Sequence, residues 1–133
     1  MKPDTSAYAR AHAATLKGHL LESEALIRAA RKLEQARTRP GDTKAFAEAL
    51  DFNFKLWTVF QADVSDPASP LPLKLREELL SLSLYMDRST RSLLREFDDK
   101  ILQGMIDVNR TLASETGRAN PSIDRCAGSG LEL

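Results

Sequence analysis

Three prolines lie within the six residues from Pro67 to Pro72, near the middle of the 133-residue chain. Because proline lacks a backbone N–H and clashes with the helical turn before it, no helix runs through this segment. On both sides of the segment, apolar residues recur at spacings of four and three, which place them on one face of a helix. The sequence therefore predicts two helices, Lys44–Asp63 and Lys74–Leu94, joined by the connector Asp63–Pro72 as a helical hairpin.

The first helix of this hairpin carries a wide apolar surface. Its main stripe holds a single polar residue, Asn53, among apolar ones: Phe46, Leu50, Trp57, Phe60 and Val64. A neighbouring face adds Phe52, Leu56 and Val59. A helix with so wide an apolar surface is buried on two sides, against the rest of the domain or against a partner.

Trp57 and Asn53 each have two interpretations. Trp57 is either a core residue whose indole N–H needs an acceptor, or an anchor at the centre of an interface. Asn53 either belongs to a structural polar network or contacts a ligand directly, since a buried amide must be hydrogen-bonded. The candidate partners of Asn53 on facing helices are Ser81, Ser83 and Asn109.

The other helices are predicted from the same spacing. Residues 8–36 are rich in helix-forming residues and predict one helix, or two with a bend near Gly18. Asp98 or Asp99 caps a last helix, in which Gly104 either weakens the helix or permits a close crossing. The residues expected to be buried are Leu16, Leu20, Ile27, Ala30 and Leu33 in the first run, Leu75, Leu79, Leu82, Met86 and Leu93 in the helix Lys74–Leu94, and Ile101, Met105, Val108 and Leu112 in the last helix.

These segments predict an all-α fold: a small bundle of four to five helices with a proline-rich connector, over residues 1–115. Asp42 caps the central helix through its side-chain oxygen. Three arginines, Arg88, Arg91 and Arg95, suit the negative end of a helix dipole or meet an acidic partner. Residues 116–133 contain glycine, proline and serine with few large apolar residues, so we predict a disordered tail.

Composition excludes several classes of function. Nineteen basic residues balance nineteen acidic ones, which argues against direct binding of nucleic acid, although residues 1–40 are locally basic. No signal peptide or apolar run long enough for a membrane span is visible, and the lone Cys126 fits the reducing cytoplasm. His12 and His19 alone make a weak metal site. We find no catalytic constellation, so we expect neither an enzyme nor a cofactor.

An ordered series of short motifs resembles the FlaF family of flagellar biosynthesis regulators. The resemblance covers roughly residues 42–112, and Phe52 stands where the family usually has tryptophan. The series comprises Ala49-Leu50-Asp51-Phe52-Asn53, Leu56-Trp57, Ala62-Asp63, Asp66-Pro67, Leu71-Pro72, Leu75-Arg76, Leu80-Ser81-Leu82-Ser83-Leu84 and Ile106-Asp107-Val108-Asn109-Arg110-Thr111.

The resemblance implies a cytoplasmic protein that binds flagellin as a secretion chaperone and promotes its synthesis or export, beside a companion regulator of flagellin translation. The alternative is a post-transcriptional regulator that acts on flagellin messenger RNA, directly or through that companion. The sequence leaves open which helix face binds and whether the protein is a monomer or a dimer. The candidate partner-binding residues are Phe52, Asn53, Leu56, Trp57, Ser81, Ser83, Asn109 and Arg110.

Overall fold

The computed structural model describes residues 23–118, with side chains to residue 115. Four helices occupy this part of the chain: α1 over residues 23–37, α2 over Thr43–Ser65, α3 over Leu73–Arg95 and α4 over Asp99–Arg118. The described residues contain no β-strand. The predicted all-α bundle is therefore confirmed, and α4 runs to Arg118, past the predicted end of the domain at residue 115.

The helices alternate in direction. Ser23, at the start of α1, donates a 3.1 Å hydrogen bond to the carbonyl of Ala113 near the end of α4. At the other end of α1, Arg37 donates to Asp99 at the start of α4 over 2.9 Å, so the two helices are antiparallel. Helices α2 and α3 pack extensively on each other and are joined by residues 66–72. The result is an up-down-up-down arrangement with short connections.

The ends of the helices follow the chemistry of their flanking residues. Asp42 accepts a 3.0 Å hydrogen bond from the backbone N–H of Ala45, which confirms the predicted cap of α2. Asp98, rather than Asp99, caps α4, because its carboxylate accepts from the N–H of Lys100 over 2.9 Å. Each cap satisfies an N–H group that a helix start leaves without a backbone partner.

The turn between α1 and α2 depends on one glycine. Gly41 has φ of 123°, a backbone conformation that residues with a Cβ rarely adopt. Arg37 braces the same end of the molecule, since it pairs with Glu34 over 3.0 Å as well as with Asp99. The hydrogen bond and the charge of Asp99 raise the pKa of Arg37, so this surface cation stays charged.

The core confirms the predicted stripe of α2 and corrects the faces of other helices. Leu50, Asn53, Trp57, Phe60 and Val64 are buried, while Phe46 is half-buried. In α1, however, Ile27 is 43 % exposed, so the prediction that it is buried was wrong. The face that packs inward is formed by Leu26, Ala29, Ala30, Leu33 and Ala36. In α4 the buried face is likewise rotated from the predicted one, and consists of Leu102, Met105, Ile106, Asn109 and Ala113.

Several sequence predictions fall outside the described residues. They concern the bend near Gly18, the burial of Leu16 and Leu20, and the pair His12 and His19. Cys126 and the tail after Arg118 also lie outside them.

Helix α4 meets α3 at Gly104 through one side chain, that of Tyr85, and we call this contact the close crossing. A Cβ atom at Gly104 would overlap the hydroxyl of Tyr85, whereas the ring carbon that bears this hydroxyl would lie 3.8 Å away, an ordinary contact. Of the two predicted roles for Gly104, the structure therefore supports the close crossing. The hydroxyl of Tyr85 occupies the space that a larger residue needs.

Gly104→Ala should have opposite consequences with and without this hydroxyl. In the Tyr85→Phe background the new methyl group fits, and alanine should stabilise α4 by about 1 kcal/mol over glycine. In the otherwise unchanged protein the Tyr85 ring must shift, so the gain should be reduced or reversed. Urea unfolding of the two single variants and the double variant measures this difference, and equal effects of Gly104→Ala in both backgrounds would contradict the close crossing.

Candidate functional site

Three polar side chains meet in the centre of the bundle. Asn53 and Trp57 lie one helical turn apart on α2, and Asn109 faces them from α4. Asn53 and Asn109 are 0 % exposed and Trp57 is 1 % exposed. Groups buried this completely have no access to water, so their hydrogen bonds must be made within the protein.

Hydrogen bonds join these residues into one chain. The indole Nε1–H of Trp57 donates to Oδ1 of Asn109 over 2.9 Å. Nδ2 of Asn109 donates to Oδ1 of Asn53 over 2.8 Å, and Nδ2 of Asn53 contacts the sulfur of Met86 on α3 at 3.5 Å. We call these four residues the buried amide chain; they connect α2, α3 and α4.

The direction of the buried amide chain is set by the indole. An indole nitrogen is only a donor, so Asn109 must turn its carbonyl oxygen towards Trp57. The amide nitrogen of Asn109 then faces Asn53 and requires an oxygen there, which in turn directs the nitrogen of Asn53 towards Met86. Trp57 also packs edge-to-face on Phe60, with ring centroids 5.0 Å apart, so its apolar surface is used as fully as its N–H.

The structure divides the predicted partner-binding residues into two groups. Asn53, Trp57, Ser83 and Asn109 are buried. Asn109 is confirmed as the partner of Asn53, whereas Ser81 is exposed and Ser83, although buried, makes no hydrogen bond to Asn53. The amide nitrogen of Asn53 contacts the sulfur of Met86 where a serine hydroxyl was expected. The sequence did not predict this contact, because Met86 looks like an ordinary apolar core residue.

The second group lies at the surface. Phe52 and Leu56 are half-buried, and Ser81 and Arg110 are exposed. Phe52 and Leu56 line a depression of about 500 Å³ between α1 and α2. Of its charged residues, Lys32 lies 5.4 Å above the ring of Phe52 and Lys55 pairs with Asp51 over 3.0 Å, whereas Glu48 has no ion-pair partner among the described residues.

A second concave surface lies on the other side of α2, between α2 and α3. We call it the α2–α3 groove; it encloses about 330 Å³ and is lined by Ala47, Leu50, Asp51, Phe54, Asp87, Thr90, Arg91 and Leu94. Phe54 is 46 % exposed and Leu94 is 68 % exposed. Of these residues, only two were given a role from the sequence: Leu50 as a core residue and Arg91 as a candidate contact for an acidic partner. The exposure of Phe54 and Leu94 depends on how two helices sit side by side, which spacing along one helix does not reveal.

Comparison with known families identifies the chain. A family model described as flagellar protein FlaF matches residues 4–115, which include all the residues of the buried amide chain. The chain belongs to the FlaF family. Searches of curated proteins and of solved structures return no match.

Two further findings concern metal ions and membranes. In the part of the chain that the structure describes, no three residues among His, Cys, Asp and Glu are grouped so that they could hold a metal ion. Within the same residues, no helix is both long and apolar enough to cross a membrane.

Trp57→Ala should destabilise this FlaF-family protein by about 3–5 kcal/mol, because it removes a fully buried ring and leaves a cavity. Thermal or urea unfolding measures the loss. Unchanged stability together with lost partner binding would instead make Trp57 an interface anchor and contradict its place in the core.

Asn109→Ala should cost about 2–5 kcal/mol, because it leaves both the Trp57 N–H and the Asn53 oxygen buried without a partner. In the Trp57→Phe background one of these groups is already absent, so Asn109→Ala should cost less there. The double-mutant cycle should show a coupling of at least about 1 kcal/mol. If the effects of the two substitutions add, the hydrogen bond between Trp57 and Asn109 contributes nothing to the free energy of unfolding.

Proposed function

We propose that this FlaF-family chain binds flagellin in the cytoplasm as a secretion chaperone and promotes flagellin synthesis or export. Membership of a flagellar family supports a role in flagellar biosynthesis, and the surface of the bundle supports partner binding as the mode of action. On this proposal the chain is a binding protein rather than an enzyme, and it requires no cofactor.

The observation that carries the proposal is the exposure of large apolar side chains on a bundle that already has a buried core. Within the described residues these side chains are Ile27, Phe54, Val59, Leu73, Leu80, Leu84, Leu94 and Phe97. Isolated exposed apolar residues are normal, but Phe54 and Leu94 line one groove together and so form a continuous surface. Apolar concave surfaces of this kind suit the apolar face of an amphipathic helix.

The buried amide chain has a structural role, which leaves partner binding to other residues. Trp57, Asn53 and Asn109 spend their hydrogen bonds on each other and on Met86, so they hold the helices together. Contact with a partner then falls to half-buried and exposed residues at the surface of the bundle.

Titration calorimetry of the purified chain with monomeric flagellin should show binding with a Kd of about 1 μM, corresponding to roughly −8 kcal/mol. A chaperone must also release its client, so tighter binding is not required. Because the contact is mainly apolar and the chain has no net charge, affinity should fall much less with rising salt than the affinity of a contact that depends mainly on charge.

Two results would contradict the proposal. One is the absence of detectable binding to flagellin at high micromolar concentrations. The other is tight binding to flagellin messenger RNA that weakens steeply with salt, because neutralised phosphates release counterions. The second result would favour a post-transcriptional regulator that contacts RNA.

A further inference from the structure

We infer that the α2–α3 groove is the site that holds the client, and that its occupant is one amphipathic helix of a partner polypeptide with a basic and an acidic residue one turn apart beside its apolar stripe. The inference rests on the proposed function only for the identity of the client. The form of the occupant follows from the groove itself.

The walls of the groove are apolar and run along two helices. Leu50, Phe54 and Leu94 provide the apolar surface, and Ala47 leaves room beside them. On α3, Leu80 and Leu84 continue the same face, since they precede Asp87, Arg91 and Leu94 at helical spacings. Leu84 is 45 % exposed, so the apolar strip extends beyond the deepest part of the groove. A long narrow strip of this kind fits a helix lying along it better than a compact ligand.

The charges at the groove specify the polar edge of that helix. Asp87 and Arg91 both line it and lie one turn apart on α3, about 6 Å along the axis. Among the described residues neither has an ion-pair partner, whereas Asp51 on the opposite wall pairs with Lys55. The groove therefore presents one unpaired anion and one unpaired cation. An incoming helix with a cation opposite Asp87 and an anion opposite Arg91 would pair both.

Thr90 gives an independent indication that the groove lacks a partner. Its side chain lines the groove and the residue is 8 % exposed, yet its hydroxyl has no hydrogen-bond partner in the described structure. A buried hydroxyl without a partner is unfavourable, and it would gain a hydrogen bond if a bound ligand displaced the atoms that cover it.

The depression between α1 and α2 differs in this respect. Lys32 already lies over Phe52, and Lys55 is already paired with Asp51. A ligand there would meet one unpaired charge, Glu48, and would have to compete with these contacts, while a ligand in the α2–α3 groove would meet both an unpaired anion and an unpaired cation. The charges thus favour the α2–α3 groove as the docking site.

Two groove variants with matched controls test the inference on the full chain, with monomeric flagellin as the probe in titration calorimetry. Leu94→Gln removes apolar surface from the groove; Leu73→Gln makes the same change on α3 at a residue that is 61 % exposed and lies outside both concave surfaces. Arg91→Glu reverses a charge in the groove, and Arg88→Glu makes the same change nearby on α3. Each groove variant should weaken binding about tenfold, and each control should change it less than about twofold.

The outcomes separate the inference from the proposed function. If the unchanged chain binds flagellin and the groove variants bind it equally well, or if all four variants weaken it alike, the groove is not the site, although the chaperone proposal stands. If the unchanged chain does not bind flagellin, the chaperone proposal falls and the inference falls with it. Circular dichroism of the four variants should show unchanged melting, since all four positions are exposed.

A different occupant would also be visible. If sedimentation shows that the free chain self-associates and that Leu94→Gln abolishes this association, the groove holds a second copy of the chain. That result would overturn the inference that a partner helix occupies it.

Discussion

The fold depends on a single donor that cannot become an acceptor. The indole N–H of Trp57 points into the centre of the bundle, and it determines which way both amides of Asn109 and Asn53 must face. A bundle held only by leucine and alanine tolerates rotation of its helices, because apolar contacts have little direction. The buried amide chain removes this freedom, since a rotation of α2 or α4 breaks a buried hydrogen bond.

The core combines directional hydrogen bonds at its centre with non-directional apolar contacts around them. This difference explains which predictions from the sequence were correct. The stripe of α2 was predictable because a polar residue within an apolar stripe marks both the buried face and the need for a partner. Asn109 was only one of three candidate partners of Asn53, because the predicted face of the last helix did not include it. In α1, by contrast, the prediction took Ile27 rather than its apolar neighbour Leu26, although Leu26 lies seven positions before Leu33 and therefore on the same helix face. The structure selects Leu26, together with alanines whose small size permits close packing.

The limits at the functional surface have a different physical origin. Helical spacing identifies a face of one helix, but a groove belongs to two helices and depends on their lateral packing. Phe54 lies on neither predicted stripe of α2, and Leu94 follows the predicted core residue Leu93 directly. Only the antiparallel contact of α2 with α3 brings Phe54 and Leu94 into one surface. The same contact places the unpaired charges of Asp87 and Arg91 at that surface.

The buried amide chain joins residues that are far apart in sequence, since Asn53 and Asn109 are separated by 56 positions. Proteins are made from the N-terminus, so a nascent chain displays Asn53 and Trp57 well before Asn109 leaves the ribosome. Until then the Trp57 N–H and the Asn53 amide oxygen lack the partner that Asn109 provides, and water must serve both. The last helix is therefore the one that closes the core, and the fold is completed only when synthesis has passed Asn109.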